Sequence, residues 1–289
     1  MAHEQRLSLA AINITIHPHT SIRYVELIKH AAKTKEIIKI RGTSHGLLNG
    51  AYNIKRGKPE EGIEGEVSKF TQIDFNSRWL NTETSKEAVD DDVKKVVIPE
   101  NLKPNYERFN YIFYPKKHLF VFQTYSSGGK QLSPNFMMKF LDSLFSLEKI
   151  KAHFNAVDLT IVPDKDSLNK IWKIPRIEKL VMTIKRPNPD DFDDEEQEYL
   201  EEMNSQNTRE IKLEHSSISG RSITPNEKTR ILARIAANNG VVSAKGKDQM
   251  NKPIEESTKA HPRVINRYYD SGSTLEAIAV REYSREFLS

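Results

Sequence analysis

Basic residues interleaved with aromatic residues and glycines are the most distinctive chemical pattern of this 289-residue chain. Side chains at every second position of a strand point to one face, so Lys245 is expected beside Lys247, and Arg263 and Arg267 are expected on one face with Ile265 between them. Cations grouped on one face neutralise phosphates and release counterions without reading bases. The C-terminal candidates for this role are Lys245, Lys247, Lys252, Lys259, Arg263 and Arg267. The N-terminal candidates are Arg41, Lys55, Arg56, Lys116 and Lys117. The pattern predicts a protein that binds a nucleic-acid backbone.

A second chemistry, Mg²⁺-dependent cleavage of nucleic acid, requires carboxylates that hold the metal and a lysine that stabilises developing charge. Asp164 follows a proline at the end of a predicted strand, and Glu210 and Lys212 lie two positions apart on another. Such short patterns also arise by chance in a chain that is 29% charged. A nuclease using these three residues is therefore an alternative, and the chain is more consistent with a protein that is not an enzyme.

Other reaction centres find little support in the sequence. The chain has no cysteine, which excludes disulfides, thiolate metal sites and cysteine nucleophiles. His17 and His19 are the only close pair of histidines, and no third ligand accompanies them. The loop 126–130 resembles a phosphate-binding loop, but Thr124 and Gln131 replace the glycine and hydroxyl residue that such a loop needs. We therefore predict neither a metal site nor a cofactor.

The charge is unevenly distributed along the chain. Nine acidic residues and no basic residue lie within residues 190–202, and removing these acids from the net charge of +4 leaves +13 on the remainder. That remainder favours an anionic partner. The acidic run is expected to be a solvated insertion, and a protein-interaction component that docks through it is a third hypothesis.

Hydropathy gives a prediction about cellular location. No stretch approaches the roughly 18 consecutive apolar residues of a membrane-spanning helix, and the first residues lack the basic and apolar blocks of an export signal. We expect a cytoplasmic protein without a membrane span.

The elements that must position the candidate residues alternate irregularly between strands and helices, which predicts an α+β fold with antiparallel sheets and packed helices. Residues 7–16 alternate as a half-buried strand, Ser133 and Pro134 begin an amphipathic helix, and a helix is expected around residues 195–204. We expect an N-terminal α+β domain with an antiparallel meander (1–150) and a C-terminal α+β domain with the acidic insertion (151–289). Within the second domain, residues 263–269 are expected to pair with residues 240–245.

Two tracts carry a resemblance to known families. Residues 157–163 (VDLTIVP), followed by a predicted short helix and a strand, are similar to the middle of RexA-like phage-exclusion proteins, which have a similar length. Residues 236–247 and 256–259 resemble the C-terminal signature of an uncharacterised bacterial family and of related phage-defence proteins. The resemblance implies a non-catalytic dimer that binds duplex DNA, rather than RNA, without strong sequence preference. It points to Lys245, Lys247 and Lys259.

Overall fold

The computed structural model describes residues 3–186 and 194–288. These ranges contain 14 strands and 8 α-helices with antiparallel pairing, which confirms the α+β class. The strands are β1 (Glu4–Ile16), β2 (Ile38–Arg41), β3 (Ser44–Asn53), β4 (Ile63–Thr71), β5 (Leu80–Asn81), β6 (Lys86–Glu87), β7 (Glu107–Tyr114), β8 (Leu119–Gln123), β9 (Val157–Ile161), β10 (Arg176–Lys185), β11 (Glu210–Ser216), β12 (Gly240–Lys247), β13 (Pro253–Ser257) and β14 (Val264–Asp270). The α-helices are α1 (Ser21–Thr34), α2 (Asp90–Val93), α3 (Pro134–Phe145), α4 (Glu148–Phe154), α5 (Ser167–Trp172), α6 (Asp194–Ser205), α7 (Glu227–Asn238) and α8 (Glu276–Tyr283).

None of the helices in the described ranges combines the length and the apolar character needed to cross a bilayer.

The first sheet has eight strands in the order β14-β1-β8-β7-β4-β3-β2, with β9 also paired to β1. Its central strand β1 is buried on both faces from Leu7 to Ile12, because α1 and α3 share the core on one face and α8 packs on the other. The alternation in the sequence had indicated one solvent-facing side for this strand. The meander β2-β3-β4 is confirmed as antiparallel, and it forms one side of this sheet.

Helix α3 begins as its sequence predicts. The Ser133 hydroxyl accepts a hydrogen bond from the backbone N–H of Phe136 at 3.3 Å, and Pro134 occupies the first helical position, where it has no N–H to leave unsatisfied. Its apolar stripe, with Phe140 and Leu144 fully buried, lies in the first core.

The second sheet has four strands in the order β11-β10-β12-β13. Leu180 and Met182 of β10 share a core with Leu232 and Ile235 of α7 on one face. The side chains at the alternate positions of β10 point to the opposite face of the sheet, where the Lys179 side chain is 42% exposed. Helix α6 confirms the helix expected at 195–204, and residues 190–193 of the acidic run lie outside the described residues.

One expectation about the chain's organisation is wrong. Residues 263–269 do not pair with 240–245, because β14 pairs with β1 in the first sheet, with Leu7 opposite Arg267. The physical reason is burial: Ile265 and Tyr269 share an apolar core with Leu7 and Leu9 of β1. The division into domains at residue 150 stays a prediction, and β9, β14 and α8, which follow that residue, pack with the first sheet.

A buried carboxylate joins the two sheets. Asp158 of β9, 8% exposed, accepts hydrogen bonds from Arg209 Nε at 3.1 Å and from Arg209 Nη2 at 2.9 Å. Lys185 Nζ of β10 lies 3.4 Å from the same carboxylate. A charge with so little solvent depends on these two cations for its stabilisation.

Replacing Asp158 is expected to weaken this junction. Asp158→Ala leaves Arg209 and Lys185 without their shared anion and should lower the free energy of unfolding by about 1–3 kcal/mol, because Arg209 is itself partly solvated. Urea denaturation measures the change. The control Asp91→Ala removes an exposed partner of Lys94 and should change the free energy by less than about 0.5 kcal/mol. Equal losses for the two variants would contradict the role of Asp158.

Candidate nucleic-acid interface

Four cations lie in two directly opposed pairs on the outer face of the second sheet. In the β10-β12 ladder Lys179 is opposite Lys245, and Arg176 is opposite Lys247. The alternate position Leu180 is fully buried toward α7, so these four side chains point the other way. Like charges opposite one another on neighbouring strands destabilise a sheet. We call Arg176, Lys179, Lys245 and Lys247 the basic strip.

A β-bulge at Glu178 brings the two halves of the basic strip onto one face. The register between β10 and β12 shifts between Ile177 and Lys179, so that Glu178 is an extra residue on β10. Without it, Arg176 and Lys179, three positions apart, would point to opposite faces. The Glu178 backbone carbonyl accepts a hydrogen bond from the Ser217 N–H at 2.8 Å.

Three carboxylates balance part of the charge of the basic strip. Glu178 lies 3.0 Å from Arg176 and 3.8 Å from Lys247. The outer strands supply Glu214, 2.6 Å from Lys179, and Glu255, 3.2 Å from Lys245. Because Lys245 is 62% exposed, its ion pair is of the kind that contributes only about 0–1 kcal/mol. An anion that contacts several of these cations at once can therefore replace such partners.

The other C-terminal candidates do not join the basic strip. Lys252 lies in the turn between β12 and β13, where its backbone N–H donates to the Asp248 carboxylate at 2.9 Å. Lys259 lies in a short 3-10 helix (Thr258–Ala260) after β13. Arg267 lies on β14 of the first sheet and pairs with Glu286 at 2.5 Å, and Arg263, just before that strand, donates to the Glu286 carbonyl at 2.8 Å.

The N-terminal candidates are all carried by the first sheet and its turns, whereas the basic strip is on the second. Arg41 ends the edge strand β2, with its guanidinium 5.8 Å from the Phe136 ring centroid. Lys55 and Arg56 follow β3, and Lys55 pairs with Glu61 at 3.2 Å. Lys116 and Lys117 form the turn between β7 and β8.

The three residues of the nuclease alternative do not converge. Arg209, adjacent to Glu210, contacts Asp158 near the start of β9, whereas Asp164 lies six residues further, beyond the other end of that strand. Because β9 ends at Ile161, Asp164 lies in the segment after the strand, where its backbone N–H donates to the His261 carbonyl at 2.8 Å. Across residues 3–186 and 194–288, no three His, Asp or Glu side chains come together in a way that would hold a metal ion.

Sequence reasoning missed Arg176 and Lys179. Their spacing gives no sign of a common face, because the bulge that aligns them has no clear signature in the sequence. The placement of Lys245 and Lys247 on one face, in contrast, follows from strand alternation and is confirmed.

Comparison with known proteins gives a family. The family described as a domain of unknown function (DUF4747) matches residues 5–285, a range that includes both sheets. No curated protein matches the chain.

The ion pair between Lys179 and Glu214, at the edge of the basic strip, leads to a prediction about pH. The hydrogen bond from Lys179 lowers the pKa of Glu214 below its ordinary 4.5. A lowered folded-state pKa means that the pair's contribution to stability is present above pH 4.5 and is lost as the pH falls through the lowered value. An NMR titration of the Glu214 carboxyl should give a midpoint below 4.5, and Lys179→Met should raise it toward 4.5. The control Lys245→Met should leave the midpoint nearly unchanged, and an unchanged midpoint in Lys179→Met would contradict the assignment.

Proposed function

The chain belongs to the DUF4747 family, and we propose that it binds the phosphate backbone of nucleic acid through the basic strip, without a catalytic step. The observation that carries this proposal is the direct opposition of like charges at two neighbouring positions on one face of the β10-β12 ladder, Arg176 opposite Lys247 and Lys179 opposite Lys245. A folded protein keeps such an arrangement at a cost in stability, and a bound polyanion removes the repulsion.

The surroundings of the basic strip suit a polyanion better than a single small anion. Lys245 and Lys247 are two positions apart, about 7 Å along the strand, and each has a cation opposite on β10. Glu178 lies within this strip, Glu214 and Glu255 lie at its margins, and these carboxylates hold the cations in place in the absence of a ligand. Phosphates replace these carboxylates in our proposal, and the released counterions favour binding.

The resemblance to RexA-like phage-exclusion proteins favours duplex DNA as the nucleic acid, a dimer as the binding unit and phage exclusion as the setting. Lys245 and Lys247 belong both to the basic strip and to the tract 236–247, which resembles an uncharacterised bacterial family and related phage-defence proteins. The contacts are to the backbone, so we expect little preference for base sequence.

The alternatives find less support in the geometry. A nuclease requires Asp164 beside Glu210, and these residues lie near opposite ends of β9. Docking of a protein partner through the acidic run would involve α6, but Leu200 and Met203 of that helix are buried, and Met203 lies in the second core. Among the α6 side chains that the structure describes, the acidic ones at Glu198, Glu201 and Glu202 are exposed.

A double substitution tests the proposal directly. Lys245→Ala with Lys247→Ala should weaken binding to a duplex DNA of mixed sequence at least tenfold, because two phosphate contacts are lost. Fluorescence anisotropy at several salt concentrations measures the affinity, and the slope of log K against log salt should decrease by about 2. The matched control is Lys94→Ala with Lys95→Ala, which removes two cations near α2 that pair with Asp91 and Asp92. This control should bind as the unmodified chain does.

The same measurement separates the outcomes. Binding that is absent, independent of salt or equally weakened in both double variants would overturn the proposal. Duplex RNA and single-stranded DNA, measured in parallel, test the preference for duplex DNA.

Removing the competing carboxylates should have the opposite effect. Glu178→Gln with Glu255→Gln leaves the basic strip with a larger net positive charge and is expected to raise DNA affinity several-fold at low salt. The gain should diminish as salt is added, since screening weakens exposed charges. A loss of affinity in this variant would show that these carboxylates support the bound state.

A further inference from the structure

A cavity of about 160 Å³ lies where the two sheets meet, at the opposite end of the second sheet from the basic strip. Its walls come from α3, β9, β10, the start of β12 and the 3-10 helix that follows β13. The lining residues are Met138, Leu159, Thr160, Ile161, Thr183, Lys185, Gly240, Val241, Thr258 and Lys259. Two lysines and three threonines are thus grouped in one small cavity that has no carboxylate among its lining residues.

One wall of the cavity is the open edge of β9. Val162 donates its N–H to the Ala11 carbonyl of β1, so by alternation the backbone groups of Thr160 point to β1, and those of Leu159 and Ile161 point away from it. The Leu159 carbonyl on this outer edge accepts from Lys185 Nζ at 3.4 Å. The edge therefore presents backbone N–H groups toward the second sheet.

The side chains of the cavity have more donors than acceptors. Thr183 lies on the sheet face turned toward β9, and its hydroxyl has no hydrogen-bond partner within the described part of the chain. The Thr258 hydroxyl accepts from the Val242 N–H at 3.1 Å, which leaves its own proton to donate.

The two ammonium groups are also available to a ligand. Lys259 forms no ion pair with any residue of ranges 3–186 and 194–288. Lys185 Nζ is 3.4 Å from both Asp158 Oδ1 and the Leu159 carbonyl, at the long limit for a hydrogen bond, and an ammonium group has three protons.

We infer that this cavity binds a phosphate monoester or phosphate itself. A cavity with two ammonium groups and unpaired hydroxyl donors fits a ligand that only accepts hydrogen bonds and carries negative charge. A phosphate group meets both requirements with three oxygens on one tetrahedral centre. The apolar side chains of Met138 and Val241 give the carbon side of an ester a place to pack. A ligand in this position contacts both sheets and therefore stabilises their junction.

Titration of small molecules against the full chain tests the inference. Inorganic phosphate, adenosine monophosphate and adenosine are titrated against the full chain by calorimetry, with thermal unfolding as a second measurement. Both phosphates should bind and raise the melting temperature in a concentration-dependent way, and adenosine should do neither. Tighter binding of the monophosphate than of inorganic phosphate identifies an ester as the ligand, and the reverse order identifies the free anion.

Variants locate the binding. Lys259→Met and Thr183→Val should each weaken phosphate binding about tenfold or more, and both substitutions conserve side-chain shape. The matched control Lys252→Met removes an exposed lysine from the turn beyond the basic strip and should leave phosphate affinity unchanged. The inference is overturned if phosphate fails to bind, if adenosine binds equally well, or if Lys252→Met weakens binding as much as Lys259→Met.

These outcomes are independent of the proposed DNA binding. The probes contain no polynucleotide, and Lys245→Ala with Lys247→Ala should leave phosphate affinity in the cavity intact. If the chain binds phosphate but not DNA, this inference holds and the proposed function fails. If the chain binds DNA but not phosphate, the proposed function holds and this inference fails.

Discussion

The 13-residue strand β1 is the constraint on which the rest of the structure depends. One of its edges pairs with β14 along the first half and with β9 along the second, and its other edge pairs with β8. Three segments that are far apart in the sequence therefore meet on a single strand. Because both faces of β1 are buried, its register with these partners is strongly specified.

The pairing of β9 with β1 determines how the two sheets meet. It places Asp158 where Arg209 and Lys185 of the second sheet reach it, and it leaves the other edge of β9 facing the cavity. A buried charge needs close partners, so this contact sets the position of β10 relative to β9. The candidate phosphate site and the junction between the sheets therefore both depend on the pairing of β9 with β1.

The two faces of the second sheet have different roles. One face carries Leu180, Met182 and Ile184 against α7, where apolar burial stabilises the fold. The other face carries the basic strip, whose like charges oppose stability and are balanced by carboxylates at its margins. The resulting site is polar, with Lys245 exposed and the other three cations half-buried.

Local patterns in the sequence were sufficient for the α+β class, for α3 with its Ser133 cap, for a helix at the acidic run and for the common face of Lys245 and Lys247. Each of these features depends on residues within about one or two turns of helix or on the alternation of one strand, so the sequence by itself determines them. Only the tertiary structure decided three other features. These are the strand with which β14 pairs, the bulge that aligns Arg176 with Lys179, and the presence of Lys185 and Lys259 in one cavity. Those features arise from contacts between distant segments, and burial of apolar surface and of Asp158 selects among pairings that local sequence leaves equivalent.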